Sequence, residues 1–293
     1  MTVPDNTGHD NPYDLLSADD DDHRWAFGTG FTDPLAGVDT TVPDGVDAAA
    51  LARHCLMLGD DALIYSHRLQ QWITRLPELE EETAVANIAL DLLGQARMLL
   101  ARAAAADPSA DFPAGTGEDR LAFFRAEAEF RNVRLAERAD EDFAELAGRL
   151  LIFSAWRLAL FERLRDTADP VLAAIAAKGV PELAYHRDYA ARWVIRLGDG
   201  TELSHQRMQR ALDVLWPLVD ELFDDDLPVS DVRGEVEAVL DGVFEHAGVG
   251  RPSSAPLGAV SGLRGRDGVH TEAMGYVLAE LQSVARAYPD ATW

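Results

Sequence analysis

From Val46 onward, apolar residues recur at three- and four-residue steps, the spacing that lines one face of a helix. Leu51, Cys55, Leu58, Ala62, Tyr65, Leu69 and Trp72 set such a face over Asp47 to about Arg75, and Pro77 ends it. Glu78 to Ala105 follows, rich in Ala, Leu and Met. Pro108, Pro113 and Gly115 then mark a loop over 107–117. The pattern predicts further helices over Glu118–Arg138 and over Asp140 to about Thr167. Another starts at Asp169-Pro170, runs to Leu197 and stops at Gly198-Asp199-Gly200, with kinks expected at Gly179 and Pro181. Glu202–Phe223, Ser230–His246 and Val269–Ala287 complete the series, with a Gly/Pro/Ser loop over 248–268. No strand-like alternation is bounded by turns. Four helices of about 27 residues would each span about 40 Å at about 1.5 Å per residue. The chain therefore reads as all-α: a four-helix bundle with additional C-terminal helices. No repeat of fixed length supports a solenoid.

Composition narrows the class. With 293 residues, 47% of them hydrophobic, residues 46–293 can bury a core as a single helical domain. Residues 1–45 hold Asp19-Asp20-Asp21-Asp22 and scattered Gly, Pro and Thr, so a disordered or loosely docked acidic extension is expected there. Trp25, Phe27 and Phe31 could pin part of it. The N-terminus has neither the basic start nor the apolar stretch of a signal peptide. No uninterrupted apolar run reaches membrane-spanning length. The expectation is a cytoplasmic protein with no membrane partner. The single cysteine, Cys55, rules out an intrachain disulfide and any cysteine-based metal cluster, and its apolar neighbours predict a buried, inert thiol.

Net charge is -25, from 51 acids and 26 bases, the opposite of a nucleic-acid binder. Lys178 is the only lysine; every other base is arginine. Acid excess with almost no lysine suits a protein kept soluble in concentrated salt, so a halophilic source is inferred. A GC-rich genome would also favour Arg.

Long bundles can hold a di-iron pair. Ferritin-like di-iron proteins place Glu on one helix and Glu-x-x-His on the next, then repeat the set on the other pair. Asp61 and Asp91 are spaced to oppose each other on antiparallel helices, but the residue three after Asp91 is Gly94. The third long helix has no acid between Glu145 and Glu162. The fourth offers Glu182, with Tyr185 at i+3 and His186 at i+4. The ligand set is incomplete, and Asp61, Asp91 and Glu182 read as polar core residues paired with bases. Lys178 lies one turn before Glu182. Either its ammonium neutralises carboxylates near the axis, or it is an exposed remnant.

Several segments carry a resemblance. They are Leu58-Gly-Asp-Asp-Ala-Leu63, Ala86-Asn-Ile-Ala-Leu-Asp-Leu-Leu-Gly-Gln-Ala-Arg97, Phe130-Arg-Asn132, Trp156 with Leu160-Phe161, Ala177-Lys178, Tyr185-His186, Leu197-Gly-Asp-Gly-Thr201, and His270-Thr-Glu272 through Leu278-Ala-Glu-Leu-Gln282 to Trp293. Over about residues 50–293 the chain resembles the C-subunit family of the bacterial phenylacetyl-CoA epoxidase, or ring-1,2-phenylacetyl-CoA monooxygenase. The acidic extension and Pro181 depart from that family, and Arg264-Gly-Arg266 stands where a lysine-rich turn is common. The resemblance implies a ferritin-like fold and a metal-free, non-catalytic subunit in aerobic phenylacetate degradation. It implies a catalytic A subunit as partner, which carries the di-iron site. A reductase subunit would engage transiently, and a homodimer could form within the hetero-oligomer. Asp61, Asp91, Lys178, Glu182, Tyr185 and His186 would then be degenerate metal-site positions, with no cofactor in this chain. Two alternatives stay open: an independent ferritin-like di-iron oxygenase or iron-binding protein, and a helical adaptor unrelated to oxygenases.

The charge makes one prediction. Self-repulsion should weaken the fold at low ionic strength, because the Debye length is about 10 Å at about 0.1 M salt and about 3 Å at about 1 M. The melting temperature should climb steeply between those concentrations in a thermal scan. A flat profile would make the acidic surface incidental.

Overall fold

Aspartates start most of the long helices. Asp47 accepts hydrogen bonds from the Ala49 and Ala50 amides at 3.0 and 3.1 Å and opens α1 (Ala48–Gln70). Asp142 does the same for α5 (Phe143–Leu164), and Asp169, followed by Pro170 in the first turn, for α6 (Pro170–Gly198). Between them lie α2 (Leu79–Ala106), the short α3 (Glu118–Phe123) and α4 (Arg134–Glu137). After α6 come α7 (Glu202–Leu215), α8 (Arg233–Ala247) and α9 (Glu272–Ala287). This is a computed structural model, and it describes residues 35–76, 78–107, 117–224, 231–289 and 291. Asp19 to Asp22 and Trp25, Phe27 and Phe31 lie outside them.

α1 and α2 form one antiparallel pair, α5 and α6 the other, and cross-contacts run antiparallel between α2 and α6 from Glu81–Trp193 to Arg102–Asp169. The architecture is a ferritin-like four-helix bundle with additional C-terminal helices. α5 is buried continuously from Ala144 to Phe161, because α6 covers one side and α7 and α8 the other. α1 is covered by α2, α4 and α9, whereas α2 and α6 keep long exposed faces. α2 is the one described helix apolar and long enough to cross a membrane, judged by length and composition. Asp91, Arg97 and Arg102 interrupt its sequence, and its buried residues pack in the bundle. The described part of the extension lies on this body: Leu35, Val38, Val42 and Val46 pack against the core, and the Thr40 carbonyl accepts from Arg102 at 2.6 Å. Cys55 is fully buried, and burial pushes its thiol up to about 12.

Two predicted helices are corrected. Glu118–Arg138 is broken into α3, a single 3₁₀ turn at Glu127–Glu129 and α4. The cause lies on α1. The buried carboxylate of Asp60 accepts the Arg131 amide at 2.8 Å, and that of Asp61 accepts the Val133 amide at 2.9 Å. These bonds replace helical ones and hold the backbone around Phe130 and Val133 extended. Glu202–Phe223 stops as an α-helix at Leu215, since Pro217 has no amide to donate, and continues as 3₁₀ turns. Pro181, in contrast, sits inside a continuous α6.

Asp60 also pairs with Arg125, whose Nη1 lies 2.9 Å from Oδ2, and both side chains are buried. Asp60→Ala would strand the guanidinium and an extended backbone amide. Urea unfolding should show a loss of about 3–5 kcal/mol, against about 1 kcal/mol for the cap change Asp47→Ala. Equal losses would mean Asp60 does not hold the 125–133 segment.

Candidate functional site at the bundle centre

The six positions marked by the sequence separate into distinct groups. Asp61 is fully buried and committed to structural bonds. Arg266 grips it with Nη1–Oδ1 at 2.8 Å and Nη2–Oδ2 at 3.0 Å, besides the Val133 amide. Burial pushes its carboxyl above the ordinary carboxylate range, against the pull of Arg266 and, further off, Arg157. It does not meet Asp91. Asp91 is about one-third exposed, and His186 Nε2 lies 3.0 Å from its Oδ2. His186 is buried, and its Nδ1 has no hydrogen-bond partner. Tyr185, the residue in the histidine register, is exposed and lies against the rings of His186 and Tyr189.

Lys178 pairs with Glu182 along one face of α6, with its side chain about one-third exposed. It therefore sits at the flank of the bundle and reaches neither Asp61 nor Asp91. The cation at the centre is Arg157 of α5, fully buried. Its Nε donates to Gln95 Oε1 at 3.0 Å and its Nη1 to the Leu58 carbonyl at 3.1 Å. Gln95 Nε2 in turn donates to Glu182 Oε2 at 3.0 Å. One polar chain thus links all four long helices: Leu58 on α1, Arg157 on α5, Gln95 on α2, Glu182 and Lys178 on α6. Burial lowers the Arg157 pKa to about 10, with Asp61 opposing, so the guanidinium stays charged at neutral pH.

Neither Arg157 nor Gln95 stands among the sequence candidates. The signal for Arg157 is present, however: it is the only ionisable side chain between Arg149 and Glu162, in the stretch where a di-iron protein would carry an acid. The residues present do not fit a di-iron pair. Such a pair needs converging carboxylates and imidazoles. Here a guanidinium and a neutral amide take the centre, and among the described residues no three of His, Cys, Asp and Glu converge to hold a metal ion.

Stability should separate the two cations. Arg157→Met leaves Gln95 Oε1 without its donor in the core and should cost on the order of 1–3 kcal/mol. Lys178→Met breaks a partly solvated pair and should cost about 1 kcal/mol or less. Denaturant midpoints in the reverse order would return the central role to Lys178.

Comparison with known proteins agrees with this fold. The family described as phenylacetic acid catabolic protein matches residues 38–293. Among curated proteins, the C subunit of the 1,2-phenylacetyl-CoA epoxidase of Escherichia coli (strain K12) is 40% identical over 251 residues, covering 83% of this chain and 99% of that one. A match across nearly the whole helical body, at that identity, places the chain by descent as well as by shape: it belongs to the phenylacetic acid catabolic protein family.

Proposed function

We propose that this chain is the C subunit of a phenylacetyl-CoA epoxidase, and that it acts as the metal-free structural member supporting a catalytic A subunit. The similarity to the Escherichia coli protein over almost its full length supports the assignment to that complex. The observation that carries the structural role is Arg157. A fixed, buried positive charge stands at the axis of the bundle, bonded to Gln95 and to the Leu58 carbonyl. A metal cation there would meet like charge and too few donors. The acids that could have served are engaged elsewhere, Asp61 by Arg266 and Val133, and Glu182 by Lys178 and Gln95. In this reading the di-iron chemistry and the acyl-CoA ring belong to the A subunit, electrons reach it through the reductase subunit, and this chain supplies a rigid helical surface.

Two measurements test the reading. The purified chain, given ferrous iron and desalted, should retain far less than one metal pair per molecule. Tight retention of two irons would overturn the metal-free role. Co-expressed with its A subunit, the chain should elute with it as one species on gel filtration. Separate elution at micromolar concentration in high salt would overturn the partnership.

A further inference from the structure

The chain from Arg264 to Thr271 lies against α1, α4 and the extended stretch around Phe130 before rising into α9. The fit is close: Gly268 has φ +81°, and a Cβ on it would collide with the Ala128 carbonyl oxygen. His270 fastens this strap. Its imidazole is fully buried, with Nδ1 2.7 Å from Glu137 Oε2 and Nε2 3.2 Å from the Phe130 carbonyl oxygen. A carbonyl can only accept, so Nε2 donates to Phe130; Nδ1 faces a carboxylate oxygen that already takes an Asn132 N–H, and a ring that donates on both sides is an imidazolium. Glu137, equally buried, also accepts the Thr271 amide at 2.5 Å and Asn132 Nδ2 at 2.9 Å. Arg68 on α1 closes the joint from the other side, donating to the Glu137 carbonyl at 2.7 Å and to the Ala273 carbonyl at 2.8 Å.

We propose that His270 and Glu137 form a pH-controlled latch, in which loss of one imidazolium proton to solvent loosens residues 268–273, from Gly268 into the first turn of α9, while Arg266 stays on Asp61 and the four long helices stay folded. A neutral imidazole keeps one donor. Its bare nitrogen would then face either the Phe130 carbonyl or the Glu137 carboxylate, an unmade and repulsive contact in a buried place. The C-terminal half of α9 has separate ties: Gln282 donates to the Ala122 and Arg125 carbonyls at 3.2 and 3.0 Å. Opening is therefore local.

Charged groups on every element packed here bear on the titration. Glu137 is on α4, Arg68 and His67 on α1, Glu127 and Arg131 on the connecting segment, and Glu272 and Glu280 on α9. Burial alone would lower His270. The hydrogen bond and charge of Glu137, the Phe130 carbonyl and the charge of Glu127 outweigh it and raise the pKa above the ordinary histidine value. Burial holds His67 below its ordinary range, so it is neutral where His270 titrates. Because the folded value is raised, the latch contributes fully below about pH 6.5, the ordinary value, and is lost as pH rises through the folded one.

The test uses the full chain. Ring NMR of His270 should show both nitrogens protonated at about pH 6, with a midpoint above about 6.5. Amide exchange of 268–273, corrected for intrinsic rates, should lose protection by about tenfold per pH unit between about pH 6.5 and that midpoint and level off above it, while Arg266 and α5 are unchanged. In His270→Gln both donors sit on one nitrogen and a carbonyl oxygen faces the other acceptor, so its strap should exchange at the released rate at every pH. Should that variant fail to fold, the wild-type titration and exchange step decide alone. A midpoint at or below about 6.5, a strap with no step at the His270 midpoint, or a step that survives in His270→Gln would overturn the latch.

Discussion

A guanidinium with no access to water costs stability unless it is hydrogen-bonded, and the centre of this bundle is arranged about that requirement at Arg157, whose Nε and Nη1 are bonded and whose Nη2 alone has no partner. Gln95 turns its carbonyl oxygen to Arg157 and its amide nitrogen to Glu182, so its orientation is fixed from both sides. The Phe161 ring lies under the guanidinium, 4.5 Å from centroid to Cζ. That ring in turn demands Gly179, since a Cβ there would come within 2.7 Å of its edge. An alanine at 179 would push on Phe161, and through it on the seat of Arg157. One buried charge thus couples residue choices on α1, α2, α5 and α6.

The same logic shapes the periphery. Asp60 and Asp61 are adjacent on α1 and both fully buried, so each must find donors. They find them in backbone amides of the following segment and in Arg125 and Arg266. The extended stretch from Phe130 to Val133 exists because these acids compete successfully with the helix for its amides. The strap that carries Arg266 then has a fixed position, and His270 and α9 follow from it. Asp61, which the sequence offers as a ligand position, is in three dimensions a fastener of an irregular wall.

This explains what can be read from the chain alone. The long helices are legible because each combines a single apolar period with a visible stop or cap, as at Asp47, Pro77 and Asp169-Pro170. The break after Phe123 is not, because nothing in Glu118–Arg138 itself forbids a helix; the competing acceptors lie on α1, about 70 residues away. At the candidate site, the gaps at Gly94 and Tyr185 are legible as gaps. Their filling is not. A di-iron pattern specifies acids and passes over a basic residue in an apolar run. The lone lysine stands out by rarity, although a partly exposed neighbour of Glu182 is no substitute for a charge at the axis.

The scarcity of lysine also takes on a second meaning. Arg68, Arg102, Arg125, Arg134, Arg149 and Arg157 are all buried, and each reaches a backbone carbonyl. Arg125 bonds those of Leu121 and Glu129, Arg134 that of Gly258 at 3.2 Å, and Arg102 that of Thr40 as well as Asp169. A guanidinium offers five donors in a rigid plane, enough to serve a carboxylate and a carbonyl together; an ammonium is a compact, strongly hydrated charge with three. At these sites lysine would leave carbonyls unpaired or draw in water. The buried arginines follow from a fold whose irregular segments are stapled to its helices through the backbone. The acid excess is thus a separate feature from the missing lysine, and the two call for separate explanations.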